Sequence, residues 1–208
     1  MRMTMRVAAT MIVSLALAAG LAGCWIHAEK DANGKDKNVQ VDTLFGGIHV
    51  KTDQTAAVDL GLPVYPGAVA VKDDDHHKSA DVQMGFGEWK LRVRAVSYQT
   101  SDSQEKVIAF YKKALGRYGN VITCQGKSPV GTPTITSEGL SCAYEGNHDN
   151  LHIDEGDYHR GSGLELKAGS KRHQHIVGFE GPGGSRNRFA LVALDMPFDA
   201  DSDPGKSD

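Results

Sequence analysis

The chain has 208 residues, of which 24% are charged and 40% hydrophobic, and its formal net charge is −3 at pH 7. This length suits one domain with a substantial core. The acidic balance argues against nucleic acid as a partner, because phosphate binding needs a basic surface.

The first 23 residues have the features of a secretory signal peptide. Arg2 and Arg6 supply positive charge, and an uncharged apolar run of 14 residues follows at 7–20. As a helix this run would be about 21 Å long, too short for the roughly 30 Å hydrocarbon core of a bilayer. A basic flank and a short apolar run ending in small residues are typical of an export signal.

The signal peptide ends in Leu21-Ala22-Gly23-Cys24, which resembles the lipobox of bacterial lipoproteins. The resemblance implies cleavage before Cys24 and a covalent lipid on its thiol. It also implies a domain held at the outer membrane or at the outer face of the inner membrane, periplasmic or surface exposed. Two or more acyl chains are enough for durable anchoring. The alternative is an ordinary signal peptide followed by a coincidental cysteine.

Composition divides the mature chain into three parts. Residues 24–38 are polar and lack periodicity, which predicts a lipidated cysteine followed by a flexible tether. Residues 39–198 are expected to form a single domain, and 199–208 an acidic disordered tail. Without the signal peptide, 21 Lys and Arg stand against 26 Asp and Glu, a net charge of about −5, which is ordinary for a soluble domain.

Alternating apolar and polar residues predict two β-hairpins. The first covers 39–52 with its turn at Gly46-Gly47, and the second turns between Gly85 and Gly87. Between them, Ala56–Leu60 suggests one helical turn, Pro66-Gly67 a type II turn, and 69–71 a short strand. After the second turn, one strand face carries Trp89, Leu91, Val93 and Ala95, and the other carries Lys90, Arg92 and Arg94. This pattern is typical of an antiparallel strand with one wet face.

One helix is predicted, from Asp102 to Arg117. Ser101 with Gln104 three residues later fits a capping box. Apolar residues recur at helical spacing on one face, which predicts a core-facing stripe; they are Val107, Ile108, Tyr111, Ala114, Leu115 and Tyr118.

The remaining chain is β-like, with candidate strands at 121–124, 139–144, 163–167, 175–179 and 188–196. A Gly-rich segment at 181–185 is expected to join the last two as a hairpin. The predicted fold class is therefore α+β, mainly an antiparallel sheet packed on one main α-helix.

Two stretches resemble a pattern found in uncharacterised bacterial exported proteins. They are Tyr65-Pro66-Gly67-Ala68 and the helix segment from Val107 to Leu115, which contains Phe110-Tyr111-Lys112. The resemblance covers about residues 60–145. It supports the fold but implies no activity, because that group has none to carry over.

Cys124 and Cys142 remain once Cys24 is assigned to the lipobox. Disulfides persist in exported chains, so this pair is predicted to form one. A metal or redox pair is the alternative, although there is no C-x-x-C spacing.

Histidines give the strongest indication of a metal. His148, His152 and His159 lie in an acidic stretch, and such a mixture of imidazole and carboxylate suits zinc or another divalent ion. The alternative is a solvated acidic loop. His173 and His175 also share a face of a predicted strand. No cofactor other than the lipid and this metal is indicated.

Lys90, Arg92 and Arg94 form the remaining candidate binding site. Three like charges on one strand face could meet an anionic glycan, a lipid headgroup or an acidic envelope protein. The alternative is a solvated face paired by acids on neighbouring strands.

The predicted function is a membrane-anchored envelope lipoprotein with a non-catalytic binding or structural role. No nucleophile elbow and no phosphate loop is present in the sequence. A divalent-metal-binding lipoprotein is the first alternative, and a hydrolase with dispersed residues is the weaker one.

Overall fold

A computed structural model describes residues 25–30, 36–43, 46–52, 55–71, 79–142, 163–180 and 187–197. Its strands are β1 (Trp25–Lys30), β2 (Asp36–Thr43), β3 (Gly46–Thr52), β4 (Val69–Ala70), β5 (Ser79–Phe86), β6 (Trp89–Thr100), β7 (Ile122–Gln125), β8 (Ser128–Pro129), β9 (Leu164–Gly169), β10 (His173–Phe179) and β11 (Asn187–Asp195). All of them belong to one antiparallel sheet, in the order β1-β2-β3-β5-β6-β11-β10-β9-β7-β8, with β4 added beside β6. The predicted α+β class is confirmed.

The helix α1 (Gln104–Leu115) continues into a 3₁₀ turn at Gly116–Tyr118. It begins later than predicted, because Ser103 and not Ser101 is the N-cap residue. Asp102 lies outside the helix, where its carboxylate accepts hydrogen bonds from the Tyr65 hydroxyl (2.8 Å) and the Lys106 ammonium (3.1 Å). None of the helices in the described ranges is long and apolar enough to cross a membrane.

The segment before α1 follows the predicted local structure. Ala57–Leu60 is a 3₁₀ helix. The Ala68 amide donates to the Tyr65 carbonyl (3.0 Å), and Gly67 has φ +77°, as the third position of a type II turn requires. The Tyr65 ring packs edge-on against Phe110 of α1, with ring centroids 5.2 Å apart. The two stretches of the exported-protein pattern therefore contact each other.

The first hairpin turns earlier than predicted. Thr43 pairs with Gly46, so the chain reverses before Gly46, and both glycines lie in β3. A Cβ atom on Gly46 would collide with the Gly85 carbonyl oxygen of the neighbouring strand. These glycines therefore serve close approach between strands, not the turn. The second hairpin turns at Gly87-Glu88, later than the predicted turn between Gly85 and Gly87, because Gly85 and Phe86 still pair with Lys90 and Trp89.

The structure differs from the predicted tether. Trp25–Lys30 pairs antiparallel with Asp36–Thr43, so the sheet begins immediately after Cys24 and not at residue 39. Residues 25–38 as a whole are too polar and irregular to predict a strand. Hydrogen bonding and side-chain contact with β2 stabilise the extended conformation of 25–30 despite its weak intrinsic preference. The candidate strand at 139–144 is also wrong over its described part, where Ser141 makes only an isolated bridge with Ile135.

The helix covers one face of the sheet, called here the helix-side face. Its core contains Val107, Tyr111 and Leu115, all fully buried, as the predicted stripe requires. From the sheet, Val96, Phe189, Leu191 and Val177 pack against them. The opposite surface, called here the far face, is covered at the β7–β9 end by a second cluster of Ile122, Cys124, Leu140 and Cys142.

Candidate functional site

The residues proposed as lipid and metal sites lie outside the described residues. Cys24 directly precedes β1, and His148, His152 and His159 fall in the segment 143–162. Within the described ranges, no three His, Cys, Asp or Glu side chains group as metal ligands. The metal site therefore stays a prediction.

The predicted disulfide is present. Cys124 and Cys142 are bonded, with their Cα atoms 5.5 Å apart, and both side chains are buried. The bond joins β7 to the segment that lies over it on the far face. Of the three cysteines in the chain, Cys24 is thus the one left outside a disulfide pair.

The three basic residues of β6 share the helix-side face, and two of them are held by carboxylates. Arg92 donates two hydrogen bonds to Asp81 of β5, at 3.0 and 2.6 Å. Arg94 donates to Asp195 of β11 at 2.9 Å and also to the Asp59 carbonyl. Lys90 is exposed. A ligand at this stripe would have to compete with these carboxylates for the two guanidinium groups.

The pairing shifts the pKa of both carboxyls. The Arg92 hydrogen bonds are the main cause that holds the pKa of Asp81 below its usual value. At Asp195, burial alone would raise the pKa. The hydrogen bond from His173, together with the charge and hydrogen bond of Arg94, outweighs burial and lowers the pKa of Asp195 overall. Both carboxyl groups are therefore ionised at neutral pH, and their charges are paired with those of Arg92 and Arg94.

His175 lies deeper on the same face. Its ring stacks on Tyr118, with centroids 3.6 Å apart and planes 11° from parallel. Burial is the largest cause that lowers the pKa of His175, aided by the charges of Arg94 and Arg117. Two buried side-chain nitrogens of the described chain, His175 Nδ1 and Arg94 Nε, have no hydrogen-bond partner. This histidine is a neutral packing group at pH 7.

The far face of strands β1, β2, β3, β5 and β6 is apolar. Paired residues of an antiparallel sheet project on the same side, so the register places Ile26, Val41, Ile48, Met84 and Leu91 in one row. The next row along the strands contains Ala28, Val39, Val50, Val82 and Val93. At the sheet end beyond the first row, Phe86 pairs with Trp89. We call these twelve residues the apolar patch.

No member of the apolar patch is buried. Ile26 is 72% exposed and Phe86 51%, and the inner members are half-buried. Helix α1 packs on the opposite face, where Val96 and Tyr98 of the same strand β6 enter its core. Extended apolar surfaces of this kind are rare on monomers and mark contacts with proteins or membranes.

The sequence predicted the alternation of β6 but not which face the helix covers. The apolar residues change sides between Ala95 and Val96, so one strand serves both faces. This change of phase was the signal that could have revealed the patch. The acidic partners Asp81 and Asp195 gave no signal, because single carboxylates at strand positions indicate nothing without the register.

Comparison of the chain with protein-family models, curated proteins and solved structures found no match. The interpretation of the site therefore rests on its own residues, and the resemblance to exported bacterial proteins stays an expectation.

Proposed function

We propose that this chain is an exported lipoprotein of the cell envelope, anchored by lipid on Cys24, whose β-rich domain has a non-catalytic binding or structural role at the membrane. The observation that carries the proposal is the Cys124–Cys142 disulfide. The disulfide joins Cys124 to Cys142, a bond typical of exported proteins, so neither of these cysteines competes with Cys24 of the lipobox as the lipid-bearing residue.

The arrangement of the domain also supports this role. The charged groups at the centre of the helix-side face are paired with one another, while the apolar patch is open. A surface of that kind suits association more than proton transfer, because its side chains carry no titratable group.

The experiment is metabolic labelling with palmitate in a bacterial host that processes lipoproteins. The wild-type chain should incorporate label and fractionate with membranes, whereas Cys24→Ser should lose both properties. A Cys124→Ala, Cys142→Ala double variant is the matched control and should keep its label. Labelling of Cys24→Ser, or an unlabelled wild type, would contradict the proposal.

A further inference from the structure

We propose that the apolar patch is a second membrane contact, which lays the far face of the sheet on the same lipid bilayer that holds Cys24. This inference rests on the proposed lipid anchor. It adds an orientation for the domain and a named surface that lipid covers.

No residue separates Cys24 from the first strand of the sheet. Trp25 directly follows Cys24 and is the first residue of β1. Adjacent Cα atoms are about 3.8 Å apart, so a lipid on Cys24 brings the sheet edge to the headgroups. A domain on a long tether could avoid the bilayer, but β1 cannot.

The strand register places the apolar patch relative to the start of β1. Trp25 is in register with Asp42, Gly47, Gly85 and Lys90, so β1 begins at the sheet end that carries the Gly87-Glu88 turn. Of the exposed apolar side chains nearest that end, Trp25 projects from the helix-side face in register with Lys90, while Ile26, Ile48 and Phe86 project from the far face. The patch thus begins next to the anchor and spreads away from it across five strands.

The two faces of these five strands differ in chemistry. None of the patch side chains carries a charge, and Phe86 and Trp89, with ring centroids 6.1 Å apart, lie at its outer edge. Aromatic residues favour the boundary between headgroups and acyl chains. The same five strands expose His27, Glu29, Gln40 and Lys51 on the helix-side surface, where they would stay in water. The difference between the faces selects which one meets lipid.

The test uses Trp89 as a depth probe. The chain has two tryptophans, so Trp25→Phe leaves Trp89 as the only one. Strands lie about 4.8 Å apart, which puts β6 roughly 19 Å from β1. Quenching of Trp89 by lipid therefore requires contact by the patch and not only by the anchor.

The lipidated full-length Trp25→Phe protein is reconstituted into vesicles of phosphatidylethanolamine and phosphatidylglycerol, with and without bromine near the top of the acyl chains. An apolar face at the interface sinks about 5–10 Å, so bromine should quench Trp89 about twofold or more. Iodide in the water should quench Trp89 less in the vesicle-bound Trp25→Phe protein than in the unlipidated Cys24→Ser, Trp25→Phe protein in detergent-free solution.

Matched variants test the face itself. Met84→Glu places a charge within the patch, and Gln83→Glu places the same charge on the adjacent residue of β5, which projects from the other face. Met84→Glu should abolish bromine quenching, and Gln83→Glu should retain it. Phe86→Ser, at a half-exposed position beside the turn, provides a second patch variant if Met84→Glu does not fold.

Each outcome decides the proposal. Vesicle-bound protein whose Trp89 is not quenched by bromine overturns the docking while the anchor stands. Shielding of Trp89 from iodide without quenching by bromine also overturns the membrane docking, because a second copy of this chain would then cover the apolar patch. Protein that fails to float with vesicles overturns the anchor, and the docking with it.

Discussion

At the residue scale, the charged groups of the helix-side face act mainly on stability. Arg92 and Asp81 form a bidentate pair in which the carboxylate is almost covered and the guanidinium is more open, with side-chain exposures of 11% and 42%. Solvent at the guanidinium reduces the free energy that such a pair contributes. The pair still satisfies a carboxylate that the sheet would otherwise bury alone.

Asp81→Asn should lower the free energy of unfolding by about 1 kcal/mol at pH 7, because it removes the charge but keeps the shape. Denaturant unfolding measures the loss. The exposed Lys106–Asp102 pair is the comparison, and Lys106→Ala should change stability by less than about 0.5 kcal/mol. Equal effects of the two variants would contradict the assigned role of Asp81.

His175 predicts a pH dependence. Burial lowers its pKa in the folded chain below the ordinary 6.5, so the unfolded chain binds the proton more readily. Stability should therefore be highest above pH 6.5 and should fall as the pH drops from there toward the folded pKa. His175→Phe, which keeps a ring against Tyr118, should reduce this loss.

The measurement is denaturant unfolding at several pH values between 7 and 5. His173→Gln removes an exposed histidine two residues away and should keep most of the wild-type loss. A His175→Phe profile identical to that of the wild type would show that this side chain does not titrate as its burial implies.

At the element scale, the predictions from sequence succeeded where the pattern was local. Helix α1 with its buried stripe and the type II turn at Pro66-Gly67 follow from spacing and turn chemistry alone. The first turn was misplaced because Gly46 and Gly47 resemble turn residues, although they are small to allow strands to approach. The sequence did not predict strand β1, because this strand depends on pairing with β2 and the residue types of 25–30 do not by themselves indicate a strand.

The disulfide belongs to this scale, since it holds the segment over β7. The bond closes a separation of 18 residues, which corresponds to about 3 kcal/mol in the chain-entropy description. The Cys124→Ala, Cys142→Ala double variant should lose roughly that amount in thermal unfolding. It should also speed hydrogen exchange in β7 more than in α1, whose core cluster is separate. Unchanged stability, or equal effects on both elements, would contradict this account.

At the scale of the whole molecule, one sheet serves two purposes. Strands β6, β11, β10 and β9 bury their helix-side face under α1. Strands β1, β2, β3, β5 and β6 present an apolar far face. The alternation that generates both faces is present in the sequence. The assignment of each face to core or surface requires the strand order, which long-range pairings such as β6 with β11 determine.

The chemistry of Cys24 decides the central claim, because both the envelope location and the orientation on the bilayer depend on it. The most direct measurement is the mass of the mature N-terminal peptide from protein extracted out of bacterial membranes. The account predicts a chain that begins at Cys24 and carries a diacylglyceryl group on the thiol. A mature chain that begins at another residue, or a Cys24 with an unmodified thiol, would contradict it.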